Sequence, residues 1–201
     1  MFLHRNSQKR IYFPEAIYFI TICTQNRWPF FAEELFCQLF IEELKLCKIL
    51  KQFHLYGFVI MPDHIHLLIQ PNDHDNISKI IQSTKKEFSR DINYILNPEG
   101  AIPESRLREN QYSRRYNKNF VIPDLPRFQN QFIKKYDQNQ FQFPKFIWQK
   151  SFFDHYIRND NDLNYHLEYI WRNPEKHGLT KNFEDYRYSS YNNYEDVIDD
   201  L

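Results

Sequence analysis

The chain has 201 residues, 42% hydrophobic and 18% aromatic, and its 26 basic and 26 acidic side chains cancel. A chain of this length fits one domain able to bury roughly 70% of its unfolded surface, and its neutrality removes net charge as an argument for or against a polyanionic partner. Its three glycines, Gly57, Gly100 and Gly178, cannot compose G-x-x-x-x-G-K-[ST] or G-x-G-x-x-G, which argues against chemistry on bound ATP or NAD.

The opening stretch "MFLHRNSQKRIYFPEAIYF" has no uninterrupted apolar region, and nothing approaches the roughly 18 apolar residues of a membrane span. Cys23, Cys37 and Cys47 are odd in number and form no C-x-x-C, which argues against a disulfide framework and a thiolate zinc site. A soluble protein in a reducing, cytoplasmic setting is expected. "AIYFITICTQ" (16–25), rich in β-branched and aromatic residues, reads as a central strand. From Glu33 to about Phe53, Phe36, Phe40, Leu44, Cys47 and Leu50 recur at helical spacing, which makes Cys47 a core residue. Residues 54–60, "HLYGFVI", and 64–70, "HIHLLIQ", read as antiparallel strands joined by a turn at "MPD". Asn76 is suited to cap a helix whose Ile77, Ile80, Ile81, Thr84 and Phe88 share a buried face.

Between Asp91 and Lys145 the periodicity dissolves, with four prolines before Pro144, and the stretch reads as a long insertion within a single domain spanning 1–201. Order resumes at 146–158, "FIWQKSFFDHYIR", taken as the fourth strand and its exit. A final helix is expected from about Leu163 to near Asn173, because the residue before Pro174 disfavours the α region. The order β α β β α, insertion, β α predicts an α+β, ferredoxin-like split βαβ fold: a four-stranded antiparallel sheet with helices packed on one face.

Within "MPDHIHLLI", His64 and His66 lie two residues apart on a strand and present both imidazoles to one side, while Ile65, Leu67 and Ile69 fill the other. Such a pair suits two ligands of one metal, although an isolated H-x-H is also compatible with histidines that merely hydrogen-bond in the core. On the last helix Tyr165, Tyr169 and Asn173 fall at i, i+4 and i+8 and share a face. Helical aromatics at this spacing are also common in cores, but an asparagine in the last turn before a proline is a less natural core residue.

The sequence resembles the single-tyrosine HUH transposases, and within them the REP-associated tyrosine transposases. The resemblance is carried by "YGFVIMPDHIHLLI" (56–69), "IWQKSFFDHYIRN" (147–159), "YIWRNPEKHGL" (169–179) and "YRYSSY" (186–191), in family order. It implies that His64 and His66 are metal ligands, that Tyr169 is the nucleophile, and that Asn173 is a third, amide ligand; Tyr165 does not hold the motif position. It further implies Mg²⁺ or Mn²⁺ as cofactor and a bacterial, cytoplasmic protein, nucleoid-associated when bound to DNA. Single-stranded DNA containing a hairpin is the implied partner, cut and rejoined through a 5′-phosphotyrosine link. An unassisted phenol, with a pKa near 10, is mostly protonated at neutral pH, so the attack needs activation.

Residues 106–145 hold nine basic against three acidic side chains, interleaved with Tyr112, Tyr116, Phe120, Phe128, Phe132 and Tyr136, a composition suited to phosphate contact and base stacking or to an ordinary solvated loop. The segment 183–201 is acidic, with Arg187 its only cation. Expected DNA contacts are Lys79, Lys86, Arg90, Arg114, Arg115 and Lys176. His155 is read as structural or DNA-proximal. A non-cleaving hairpin-binding protein and a metal-dependent nuclease using water stand as alternatives, and the oligomer is expected to be a monomer or homodimer, with a slight lean to the monomer.

Overall fold

Apolar side chains on both sides of the central strands dictate the architecture. In the computed structural model, which describes residues 12–13, 16–72, 75–97, 123–136, 143–192 and 194–200, the elements are β1 (Tyr18–Cys23), α1 (Glu34–Lys51), β2 (His54–Met61), β3 (His64–Gln70), α2 (Ile77–Leu96), α3 (Leu125–Lys135), β4 (Phe153–Tyr156) and α4 (Asp160–Lys176). All strand pairs are antiparallel, in the order β2-β3-β1-β4, as the split βαβ plan requires. Among the described residues no helix is long and apolar enough to cross a membrane.

On one face, Ile20 and Ile22 of β1, Phe58 and Ile60 of β2 and Ile65, Leu67 and Ile69 of β3 join a single cluster with residues of α1, α2 and α3. These three helices pack on one face, as expected. Helix α4 does not: Leu167 and Ile170 cover Phe19, Val59, Met61 and Leu68 on the opposite face. The reason lies in the strands. Residues 57–61 of β2 and 64–69 of β3 are buried without interruption, so a single helical layer would leave Val59, Met61 and Leu68 in water.

Gly57 is where that second layer seats. The register slips between Leu55 and Gly57, and a Cβ built on Gly57 would lie 3.1 Å from Leu167 Cδ2 and 3.6 Å from Ile170 Cδ1. The missing side chain lets α4 approach, and the slip keeps Leu55 in the large cluster while Gly57 faces the helix.

Three expectations are corrected. Helix α2 continues to Leu96, and the stretch 91–145 contains α3, whose Leu125, Phe128 and Phe132 make a short buried stripe behind the Asp124 cap. That stripe is hidden among Gln, Asn and Lys, and Pro126 sits in the first turn, where the missing N–H costs nothing. Regular pairing in 146–158 is confined to Phe153–Tyr156, with one isolated bridge from Trp148 to Thr24. Finally α4 starts at Asp160, capped by Asn159, and runs through Pro174 to Lys176. The proline falls in the last turn, and the amides of His177, Gly178 and Leu179 close that end on the carbonyls of Asn173, Glu175 and Pro174.

A Gly57→Val substitution is expected to lower unfolding stability by about 1–3 kcal/mol through overpacking against Leu167, measured by urea denaturation. Unchanged stability would mean that α4 does not rest on β2 this closely.

Candidate active site

Alternation along β3 turns His64 and His66 toward α4, where His64 pairs with Cys23 and His66 with Thr21 across the β1 ladder. Both are buried, at 9% and 4% exposure, with their rings 4.8 Å apart. Each uses its Nδ1 on a neighbour: His64 donates to Asp63 Oδ1 at 2.6 Å, and His66 Nδ1 hydrogen-bonds Thr21 Oγ1 at 2.8 Å. Engaging Nδ1 leaves Nε2 as the unprotonated nitrogen on both rings when Nδ1 carries the proton.

Burial holds both imidazoles in the neutral form. It pushes His66 down to about 3, with the charges of His64, Arg27 and His177 acting in the same direction. It also lowers His64, against an upward pull from the Asp63 hydrogen bond. Neutral imidazoles with a free nitrogen are the form that binds metals.

Helix α4 brings Tyr169 to this pair. Its ring centroid lies 5.3 Å from that of His66 and 5.7 Å from Phe19, edge-on to both, and Lys176 Nζ stands 5.5 Å from the same ring. One turn on, Asn173 is 1% exposed, and neither its Oδ1 nor its Nδ2 has a hydrogen-bond partner. His66 Nε2 is likewise buried and unpartnered. An orphaned buried polar group costs about 1–3 kcal/mol. Two imidazole nitrogens and an amide oxygen are a donor set that fits a divalent cation. Asn173 does not line the cleft; His177, a further turn along, does, with its ring 6.3 Å from that of His64.

The cleft in front of the imidazoles has a volume of about 890 Å³. Besides His64, His66 and Tyr169, its walls include Thr21, Asp63, Phe153 and Arg27, the last 3.4 Å from Asp63 Oδ2.

Other expected residues are not gathered here. Lys79, Lys86 and Arg90 belong to α2, on the far side of the sheet; Lys79 lies 3.7 Å from Asp75, and Arg90 is paired with Glu87 and Asp91. Arg114 and Arg115 lie outside the described residues. In the described part of the basic stretch, Arg127 pairs with Glu42 and Lys135 with Glu33, while Phe128 and Phe132 are core residues. Tyr165 is 64% exposed, because each four-residue step overshoots a turn of 3.6 residues and rotates it away from the Asn173 face. His155 bonds Asp162 at 3.0 Å and stacks on His166 at 4.6 Å. The ligand atoms of His155, Asp162 and His166 lie within 4.8 Å of one another, so this second group could also hold a cation.

Thr21, Asp63, Arg27 and His177 escaped the sequence reading. Asp63 stands beside the histidine motif, and its role was obscured by its place in a turn. Thr21 required the cross-strand register. His177 continues the i+4 series of Tyr169 and Asn173 and was accessible from that spacing. Arg27 gave no signal.

The family described as "Transposase IS200 like" matches residues 13–122, more than half of the chain. A Haemophilus influenzae protein provisionally named a REP-associated tyrosine transposase is 29% identical over 187 residues, covering 92% of this chain and 85% of the relative. The REP-associated tyrosine transposase of Escherichia coli is 36% identical over 72 residues, 33% of this chain and 44% of the relative. Among solved structures, a REP-associated tyrosine transposase bound to a REP hairpin aligns over 93% of this chain and 83% of that one, with a TM-score of 0.59 and 20% identity, a likeness of fold.

In chelator, stability is expected to fall as pH drops from about 7 to about 5: the unfolded chain binds protons on His64 and His66 that the folded chain excludes, at up to about 1.4 kcal/mol per pH unit for each imidazole. Thermal melts across this range test it, and His66→Leu should flatten the slope. A slope unaltered by that substitution would mean that His66 is not held neutral by folding.

Proposed function

The chain belongs to the IS200-like transposase family, and on that footing we propose that it cleaves and rejoins single-stranded DNA through a covalent link to Tyr169, with a divalent cation held by His64, His66 and Asn173. The observation that carries this reading is the meeting of α4 with β3, which sets the Tyr169 ring 5.3 Å from His66 and leaves His66 Nε2 and the Asn173 carboxamide buried without partners.

In the forward step the Tyr169 phenolic oxygen bonds to phosphorus as the bond from phosphorus to the 3′ oxygen breaks. The phenol gives up its proton, and the 3′ oxygen leaves as a hydroxyl. Rejoining is the reverse: a 3′-hydroxyl attacks the 5′-phosphotyrosine and the phenol is restored. The phosphodiester energy stays in the covalent link, in accord with a sequence that lacks P-loop and dinucleotide motifs. Mg²⁺ or Mn²⁺, when bound, would offset the charge that develops on the phosphate oxygens. Asp63 and Thr21 fix the two ring orientations, and Lys176 brings positive charge beside the nucleophile's ring.

The proposed substrate is a DNA single strand bearing a hairpin; the structural relative is bound to a REP hairpin. Among the described residues, Lys176 is the expected DNA contact that stands beside the Tyr169 ring; Lys79, Lys86 and Arg90 would serve only DNA that wraps round to α2. Because His64, His66, Tyr169 and Asn173 all come from one chain, a monomer suffices.

The test is incubation with Mn²⁺ and single-stranded DNA flanking the gene, followed by a denaturing gel. Wild type is expected to give a covalent adduct, and Tyr169→Phe none, with DNA binding changed by less than about twofold because only the nucleophilic oxygen is lost. Nicking without an adduct would favour a water-using nuclease, and binding alone a hairpin-binding module; either result removes the proposal. In parallel, His64→Ala should abolish adduct formation and weaken Mn²⁺ binding in calorimetry by at least about tenfold. Full activity of that variant in chelator would refute the assigned ligands.

A further inference from the structure

We propose that the cleft contains a subsite for one unpaired nucleotide beside the reacting phosphodiester, with Phe153 as the stacking platform for the base and Arg27 as the anchor for the phosphate. The proposal rests on reading the cleft as a strand-transfer site. Phe153 is paired with Thr21 across β1 and β4, and Thr21 is the residue that hydrogen-bonds His66. Cross-strand partners point to the same side of a sheet, so the Phe153 ring shares the face of the imidazole. It is nevertheless 60% exposed on the cleft wall. A large aromatic fixed by its strand and left in water inside a cleft is unusual for packing and well suited to stacking a base, an interaction indifferent to base identity.

Arg27 enters from another wall on a strained turn. Asn26 and Arg27 both adopt left-handed backbone, at φ 54° and 55°. Asparagine visits that region readily, whereas arginine does so at a cost. The turn is fastened by the Thr24 hydroxyl, which contacts the carbonyls of Trp28 and Asp63 at 2.8 and 2.9 Å. What it achieves is the delivery of a guanidinium to the cleft. That group touches Asp63 at one nitrogen and keeps 52% of its side chain exposed, so further N–H groups can bind phosphate oxygens.

The experiment measures binding in EDTA, without chemistry, to single-stranded DNA flanking the gene and to a series of the same strand each lacking one base. Wild type should bind one abasic strand about tenfold more weakly than the intact strand. Phe153→Ala should bind the intact strand about tenfold more weakly and show no further loss for that abasic strand, and Phe153→Tyr should restore the discrimination. Arg27→Gly, which suits the left-handed backbone, should melt higher than wild type yet bind DNA about tenfold more weakly. Equal binding by Phe153→Ala, or equal losses on intact and abasic strands, would overturn the base platform; wild-type affinity in Arg27→Gly would overturn the phosphate anchor. Adduct formation by wild type in Mn²⁺ is scored separately. An adduct with no Phe153 effect removes the subsite alone, whereas base-dependent loss without any adduct keeps the subsite and removes the strand-transfer reading.

Discussion

At Gly57 the last helix comes within ordinary contact distance of the sheet, and the cleft depends on that approach. Tyr169 and Asn173 belong to an element almost a hundred residues from the histidines. Tyr169 reaches His66 because Leu167 and Ile170 of the same helix seat on Val59, Met61 and Leu68. A Cβ at position 57 would press on Leu167, which would have to give by a few tenths of an ångström in the helix that carries Tyr169. Under the proposed strand transfer at Tyr169 such movement matters, since a displacement of about 1 Å in a reacting group can cost about a hundredfold in rate.

The two faces of the sheet divide the larger apolar core from the candidate site. The face under α1, α2 and α3 is a continuous apolar cluster rich in stacked and edge-on aromatic pairs, among them Phe31, Phe40, Phe88, Phe146 and Trp148. The face under α4 is covered by a smaller cluster and then opens into the cleft. Desolvation there works against protonation of both histidines, and the partners on their Nδ1 atoms orient the rings without supplying enough charge to reverse it. The cost of orphaned polar atoms at His66 and Asn173 is sustained by the larger cluster on the other side, as is commonly so at functional sites.

What could be read from the sequence was whatever depended on local periodicity. The strand pair around "MPD", the cap at Asn76, the core role of Cys47 and the common side of His64 and His66 all follow from spacing of two or of 3.6. The run of α4 through Pro174 is not legible from sequence, because the preference of the residue before a proline concerns its own backbone and not the contacts that close the last turn. Helix α3 was lost because three apolar residues over eight positions make a weak signal amid polar neighbours. The side covered by α4 is not legible because a continuous apolar run reveals that a strand has two buried faces but not what covers each. Roles set by register, such as Thr21 on His66, require knowing which strand lies alongside.

The separation of charge from the cleft also bears on how DNA can be held. Local counting makes the stretch 106–145 the most basic part of the chain, but Arg127 and Lys135 neutralise Glu42 and Glu33, and their helix packs with α1 and α2 on the face away from the histidines. An ion pair already made within the protein releases fewer counterions when DNA arrives, so such cations contribute less to affinity than their number implies. Among the described residues, Arg27 lines the cleft, shared with Asp63, and Lys176 stands beside the Tyr169 ring. If the proposed strand transfer takes place here, so little charge leaves positioning of the phosphodiester to shape and stacking. Among the aromatic side chains lining the cleft, Phe153 is the one that stands 60% exposed and so offers a face for the latter.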